Sequence, residues 1–345
     1  RSFKTSKLLL QYHTQKKKRY VTKLTIERLN KKEEGVLIMK TTILNSKNLT
    51  ASAVIYMAFI LLTAIHIHAE DTRVLSERTL QTQNGRNLYL NTPSGDIYIS
   101  TWDKPEVYVK VLGNRSAEKK IKFRFENTED GVRLTAKNDS WVRWLFWSNV
   151  YLRYEIKVPA AYSAYVNTAG GNIKLAGLAG SAKLETSGGD VTLLNSRGKI
   201  YLSTSGGDIK MDNAGGELRA TTSGGDINAS NFTGDLNVST SGGDIHLDGR
   251  SGQIKASTSG GDIYLNYKDD NRGIYLETSG GDIVVKVPQN FSASADLSTT
   301  GGEVTCDLPI TRNGKMTSSK VKGELNGGGR PLNCSSTGGD IKVLR

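Results

Sequence analysis

The chain has 345 residues, two cysteines and a formal net charge of +12 at pH 7. That charge sits at the front: residues 1–38 hold 11 Lys/Arg against 3 Asp/Glu, Lys40 and Lys47 add two more, and the part from Glu70 onward carries only +2. No basic stripe interleaved with aromatics can be read in the linear repeat region, so nucleic acid is not an expected partner.

Residues 1–38 are basic, lack an initiator Met and precede a good start at Met39. They read as an over-extended translation without ordered structure; the competing reading is a basic tail on an uncleaved anchor. Residues 39–69 read as a signal peptide. Lys40 and Lys47 form its basic region, residues 51–65 its apolar run, and Ala69 its cleavage point. The run is shorter than the ~20 residues that span a bilayer, so cleavage is expected rather than anchoring. No cysteine follows the cleavage region, so no lipid anchor is expected there. Export to the periplasm, outer envelope or medium follows.

Residues 70–165 read as a first rung plus an insertion. Pro-Ser-Gly-Asp ends at Asp96, and period-two alternation continues in residues 107–111, 121–125 and 132–134. These are expected to be antiparallel strands capping the open end of a stack. Trp141, Trp144 and Trp147 fall within seven residues, which also makes them a candidate patch for sugars or an envelope surface.

Residues 166–345 carry the strongest signal. Thr-Ser-Gly-Gly-Asp ends at Asp190, Asp208, Asp226, Asp244 and Asp262, always 18 residues apart. Asn172 precedes in register, and Asp282, Glu303 and Asp340 follow at wider spacing. Counted from the acidic residue, Ile or Val stands at +1 (Ile209, Ile227), and apolar residues recur at +3, −8 and −6. Such a period means one unit stacked many times. The expected fold is all-β: a parallel β-solenoid with two strands and two turns per 18-residue turn. The Gly-Gly pair is expected to supply positive φ at one corner, and a mid-repeat Gly to help at the other.

The carboxylates of Asp190, Asp208, Asp226, Asp244, Asp262 and Asp282 form a column. Each is expected to cap its turn by accepting backbone N–H bonds; a calcium ladder is the sharper alternative, but the glycine and Asp spacing of calcium-binding β-rolls is absent. The Thr column at −4 shares parity with the buried positions, so it is expected to turn inward rather than bind ice. Cys306 and Cys334 both fall at core positions, as a disulfide or as two buried thiols.

Chemistry is sparse. Of four histidines only His246 lies beyond residue 69, which excludes a His-based metal cluster and argues against a Ser-His-Asp triad. The Gly-Gly turns lack the Lys-Ser/Thr of a phosphate loop. No metal, cofactor or catalytic residue is expected.

The repeated Thr-Ser-Gly-Gly-Asp-Ile units, with residues 325–329 leading to Thr-Gly-Gly-Asp-Ile ending at Ile341, resemble the bacterial secreted putative-adhesin family, a domain of unknown function. The resemblance spans roughly residues 85–345. It implies a secreted or envelope-associated β-solenoid with an adhesive role and supplies no ligand residues. The expected function is therefore non-enzymatic, adhesin-like binding of polysaccharide or another cell-surface component. The alternatives are a self-associating envelope scaffold, pairing through an open C-terminal edge, and a β-helical polysaccharide-active enzyme.

Overall fold

The structure, a computed structural model, describes residues 72–138, 150–311 and 316–345, together with two earlier strands. The chain divides into two units, Arg1–Ala69 and Glu70–Arg345. In the first, strand Lys23–Arg28 pairs antiparallel with Leu37–Thr42, Ile26 standing opposite Met39. The sequence leads one to expect no ordered structure before Met39; the strand pair is the observed difference, and it straddles that residue. The apolar run and the Ala69 cleavage position lie outside the described residues. Among the described residues no helix is long and apolar enough to cross a membrane.

The second unit is all-β, with 27 strands in one hydrogen-bonded system and one short helix, Arg115–Lys120, among the described residues. The 18-residue period becomes the pairing register. Leu184 stands opposite Leu202, Ile200 opposite Leu218, and Ile209 opposite Ile227, all in parallel. One series of strands ends in the −4 threonine and forms what we call the Thr sheet. The other begins at the +1 Ile or Val and forms the Ile sheet. Between them, the columns at −8, −6, +1 and +3 interlock; Leu202, Ile209 and Met211 are fully buried. Each such side chain is worth about 1.5–3 kcal/mol of burial, so the core grows rung by rung.

Chain order and stack order diverge at both ends. Strands Asn87–Thr92 and Asp96–Trp102 make the first rung in sequence. Outside it lie Gly131–Asn138 and Leu152–Pro159, paired parallel to it; inside it lie Ser163–Thr168 and Ile173–Ala176. The inserted segment thus forms the outer rung. Ile121–Thr128 continues the Thr sheet antiparallel, and Glu106–Gly113 then Arg73–Gln81 continue the Ile sheet antiparallel.

The C-terminus does the same. Pro331–Ser336 inserts between Ile274–Thr278 and Ala293–Thr299. Ile341–Leu344 inserts between Ile283–Lys286 and Val304–Cys306. The last strand in sequence is therefore paired on both sides. The edge of the Ile sheet at this end is instead Val304–Cys306, paired only with Ile341–Leu344 among the described residues. Outside it in the Thr sheet, Lys320–Leu325 runs antiparallel to Ala293–Thr299.

The glycine reading also needs correction. Positive φ is absent from the Gly-Gly pairs of the five perfect repeats and occurs at the mid-repeat corner, at Gly198, Gly216, Gly234 and Gly273. The second glycine of each pair is needed for a different reason: a side-chain carbon on Gly225 would collide with the carbonyl oxygen of Gly207 one rung below. Adjacent backbones touch there, and only hydrogen fits. The first glycine of the same turn has space, with nothing nearer than 3.7 Å at Gly224, although the room narrows to 3.2 Å at Gly280.

Candidate functional site

Trp141, Trp144 and Trp147, the candidate patch, lie outside the described residues. The other singled-out residues are placed. Each Asp of the column reaches across to the next rung: the Asp244 N–H donates to Asp226 Oδ1 at 2.8 Å, and the same bond links Asp190 to Asp208 and Asp208 to Asp226. The series continues through Asp262 and Asp282. It then passes to Asp340 and from Asp340 to Glu303, following the stack rather than the chain. Asn172 takes part with its amide oxygen. Expected to cap its own turn, the carboxylate instead ties one turn to its neighbour. At Asp340 the Glu303 N–H, then Lys342, hold the carboxyl below its ordinary value.

The threonines are buried and doubly bonded. Thr222 Oγ1 donates to Gly207 O at 2.9 Å, one rung away, and accepts from Gly225 N–H at 3.4 Å in its own turn. Both column residues are thus occupied with backbone, in line with their polar side chains facing strand ends.

Cys306 and Cys334 are free thiols, not a disulfide. They belong to opposite sheets in adjacent rungs. Cys334 is buried between Leu276 and Leu297 in register, and burial pushes its thiol well above the usual range. Cys306 pairs in register with Val343, its sulfur 3.9 Å from the Leu308 carbonyl oxygen. His246 is exposed on the Ile sheet, its ring 6.2 Å from that of Tyr264.

What remains available for contact is the outward side of the two sheets; the Ile sheet carries Tyr98, Lys174, Lys210, His246 and Tyr264 in one column, and the Thr sheet carries the longer unbroken line of rings and cations. Its −7 positions read, in stack order, Arg133, Tyr89, Tyr165, Lys183, Tyr201 and Arg219, followed by Asn237, Lys255 and Tyr275. The rings and cations interact along this line. Arg133 lies 4.6 Å from the Tyr89 ring, and Tyr89 stacks on Tyr165 at 5.1 Å with the planes 15° apart. Lys183 stands over Tyr201, and Lys255 over Tyr275, each at 5.8 Å. Successive residues are one strand spacing apart, ~4.8 Å. A groove of about 760 Å³ passes over Lys255, Tyr275 and Asn333. Smaller ones of about 310 and 360 Å³ share Tyr165 and Lys183 farther along the same face.

This line of rings and cations, with Glu185, Glu217, Asp235 and Glu277 on the flanking columns, is not visible in the linear sequence. Its members are 18 or more residues apart in sequence, with Asn at one of the positions. The signal was the −7 column of the repeat, which alternates among Tyr, Lys and Arg while its inward neighbours stay apolar. Beside it, the −5 column reads Asn91, Asn167, Glu185, Ser203, Thr221, Ser239, Ser257 and Glu277 in stack order, so small polar residues are broken by two carboxylates.

Fold and face together define a repeat protein of stacked parallel strands whose outward side chains recur rung by rung. Residues 65–344 match the Toastrack DUF4097 family, and the chain belongs to that family. Among solved structures it is similar to a Bacteroides fragilis protein named a putative adhesin, at 14% identity over 79% of this chain and 97% of that one, TM-score 0.38. It is also similar to two Parabacteroides distasonis proteins. One is named a putative adhesin, at 8% identity over 79% and 98%, TM-score 0.32. The other is named a putative lipid binding protein, at 14% over 78% and 96%, TM-score 0.31. A search of curated proteins by sequence finds no match.

Proposed function

We propose that this chain is an exported, non-enzymatic, adhesin-like protein of the bacterial cell surface or envelope. It binds polysaccharide or another repetitive surface component through the outward face of the Thr sheet. The observation that carries the reading is the line of tyrosines and cations at one residue per strand, beside a column of amides, hydroxyls and the carboxylates of Glu185 and Glu277. Tyrosine offers an apolar ring with a polar edge, and weak contacts repeated at a fixed spacing add up when the partner repeats as well. In the same reading the inserted strands between residues 106 and 159 serve as the N-terminal cap, and residues 39–69 as a signal peptide cut after Ala69. The short uniform turns of the repeats favour binding over turnover.

The test combines fractionation with binding. Cells expressing the full gene should yield a product beginning at Glu70 outside the cytoplasm, and that product should bind on a broad glycan array. An intact cytosolic chain would remove the export reading; no binding on any glycan would remove the polysaccharide reading.

A further inference from the structure

We infer that the rung built by Pro331–Ser336 and Ile341–Leu344 exchanges between two copies of this chain, each copy filling the other's slot. The partner is a second copy, and the interaction surface is the gap between residues 274–286 and residues 293–306. The inference stands apart from glycan binding.

The first argument is how this rung is held. From Ile173 to Tyr267 each rung is joined through the chain to both of its neighbours in the stack. This rung is joined directly to neither. It follows Lys320–Leu325 in sequence and enters between two rungs that both precede it. Hydrogen bonds and burial alone fix it there. The Asp340 N–H donates to Asp282 Oδ1 at 2.7 Å, and the Glu303 N–H donates to Asp340 Oδ1 at 3.0 Å. Ser336 takes the place of the column threonine and donates to Gly281 O at 2.9 Å. Leu332, Cys334, Ile341 and Val343 are buried. The same residues of another copy can make every one of these contacts, so an exchanged pair loses none of them. Exchange of an identical element is a low-cost route to a dimer, because only the hinge differs.

The second argument is the hinge. Residues 326–330 carry the chain from one side of Ala293–Thr299 to the other. Asn326, Gly327, Gly328 and Gly329 have successive φ values of 47°, 87°, 83° and 157°. Glycine takes negative φ as readily as positive φ, so the linker can open without strain at those three residues. Few contacts hold it closed. Asn326 Nδ2 donates to the Gln289 and Phe291 carbonyl oxygens at 2.9 Å each. Asn271 Nδ2 donates to the Arg330 carbonyl oxygen at 2.6 Å. Exchange gives up these polar contacts of an exposed linker and keeps the core.

The experiment mixes two forms of the full-length chain, both carrying Cys306→Ala. One keeps Cys334. The other carries Cys334→Ala together with Leu297→Cys or Leu276→Cys. Positions 276, 334 and 297 stand in register on adjacent strands. Their spacing of ~4.8 Å lies within the ~4.4–6.8 Å between Cα atoms that a disulfide needs. The concentrated mixture is warmed to the onset of melting, cooled and oxidised with diamide. Interchain disulfides to both positions are expected, and none to a control form with Leu202→Cys in their place. A separate variant lacks Gly327, Gly328 and Gly329. Its three remaining Cα–Cα steps reach about 10 Å at full stretch. They would have to cross two strand spacings, about 9.6 Å, and also arch over Ser292. This variant should be a dimer by mass in solution and keep its cooperative melting. No link to either position overturns the inference, as does an equal link to the control. A link to position 297 without one to 276 also overturns it, because the rung would then lie at an edge rather than in the slot. A folded, monomeric hinge variant overturns it as well; if that variant does not fold, the cross-links decide alone.

Discussion

The middle of the stack and its ends are built from the same unit but by different rules. From Ile173 to Tyr267 each rung lies on the one before it in sequence, and the pairing register simply advances. At the ends, the first and last rungs in sequence are second-to-outermost in space, each covered by strands from elsewhere in the chain. Repetition fixes the rung, and long-range pairing fixes where a rung goes. A solenoid edge exposes unpaired backbone groups and core. Placing the C-terminal strand between two others closes that strand's own edges.

The largest predicted effect separates the two rules. Removing residues 330–345 deletes the buried Leu332, Cys334, Ile341 and Val343, about 6–12 kcal/mol of burial, comparable to the whole stability of a domain. The truncated chain should lose its cooperative thermal transition. Deleting residues 191–208, one complete middle turn, leaves every register intact and should cost only a few kcal/mol. Calorimetry of both decides; equal losses would mean that the C-terminal rung has no special place.

Next comes the turn. Gly225→Ala places a carbon against the Gly207 carbonyl oxygen and should destabilise by about 3 kcal/mol or more, whereas Gly224→Ala, with open space, should change stability by less than about 1 kcal/mol. Urea midpoints of the pair check this. Thr222→Val keeps the shape but strands the Gly207 carbonyl and the Gly225 N–H. It should cost about 1–3 kcal/mol, read from the same urea curves.

The smallest effect lies at the end of the Asp ladder. Asp340 has a folded pKa held below its unfolded value of ~3.9. Its ionised form therefore contributes stability above that unfolded value, and this is lost as pH falls through the lower, folded one. A carboxyl titration by NMR should show Asp340 titrating below its ordinary value. Asp340→Asn should remove that titration while keeping the bond to Glu303, since Asn172 already fills the equivalent role.

These differences also mark what was legible in the sequence. The alternation around Ile209 and Leu202 and the 18-residue phrase gave rungs, core and register, because strand parity and turn chemistry are local. The place of Pro331–Ser336 was not legible, since Thr-Gly-Gly-Asp reads the same whichever neighbours it takes. The glycines were visible but their cause was not: contact between Gly225 and Gly207 exists only once turns are stacked. The face of Tyr165, Lys183 and Tyr201 was hidden for a similar reason. An outward position that changes from Tyr to Lys to Arg looks like ordinary surface until the stack sets its members one strand apart.

The central claim, that the outward Thr sheet is the binding face, is tested most directly by hydroxyl-radical footprinting of the full-length chain with and without a glycan it binds on the array. The account predicts that oxidation of Tyr165, Tyr201 and Tyr275 falls on binding, while Tyr264, exposed on the Ile sheet, is unchanged. Protection of Tyr264 with the three Thr-sheet tyrosines unchanged would contradict it.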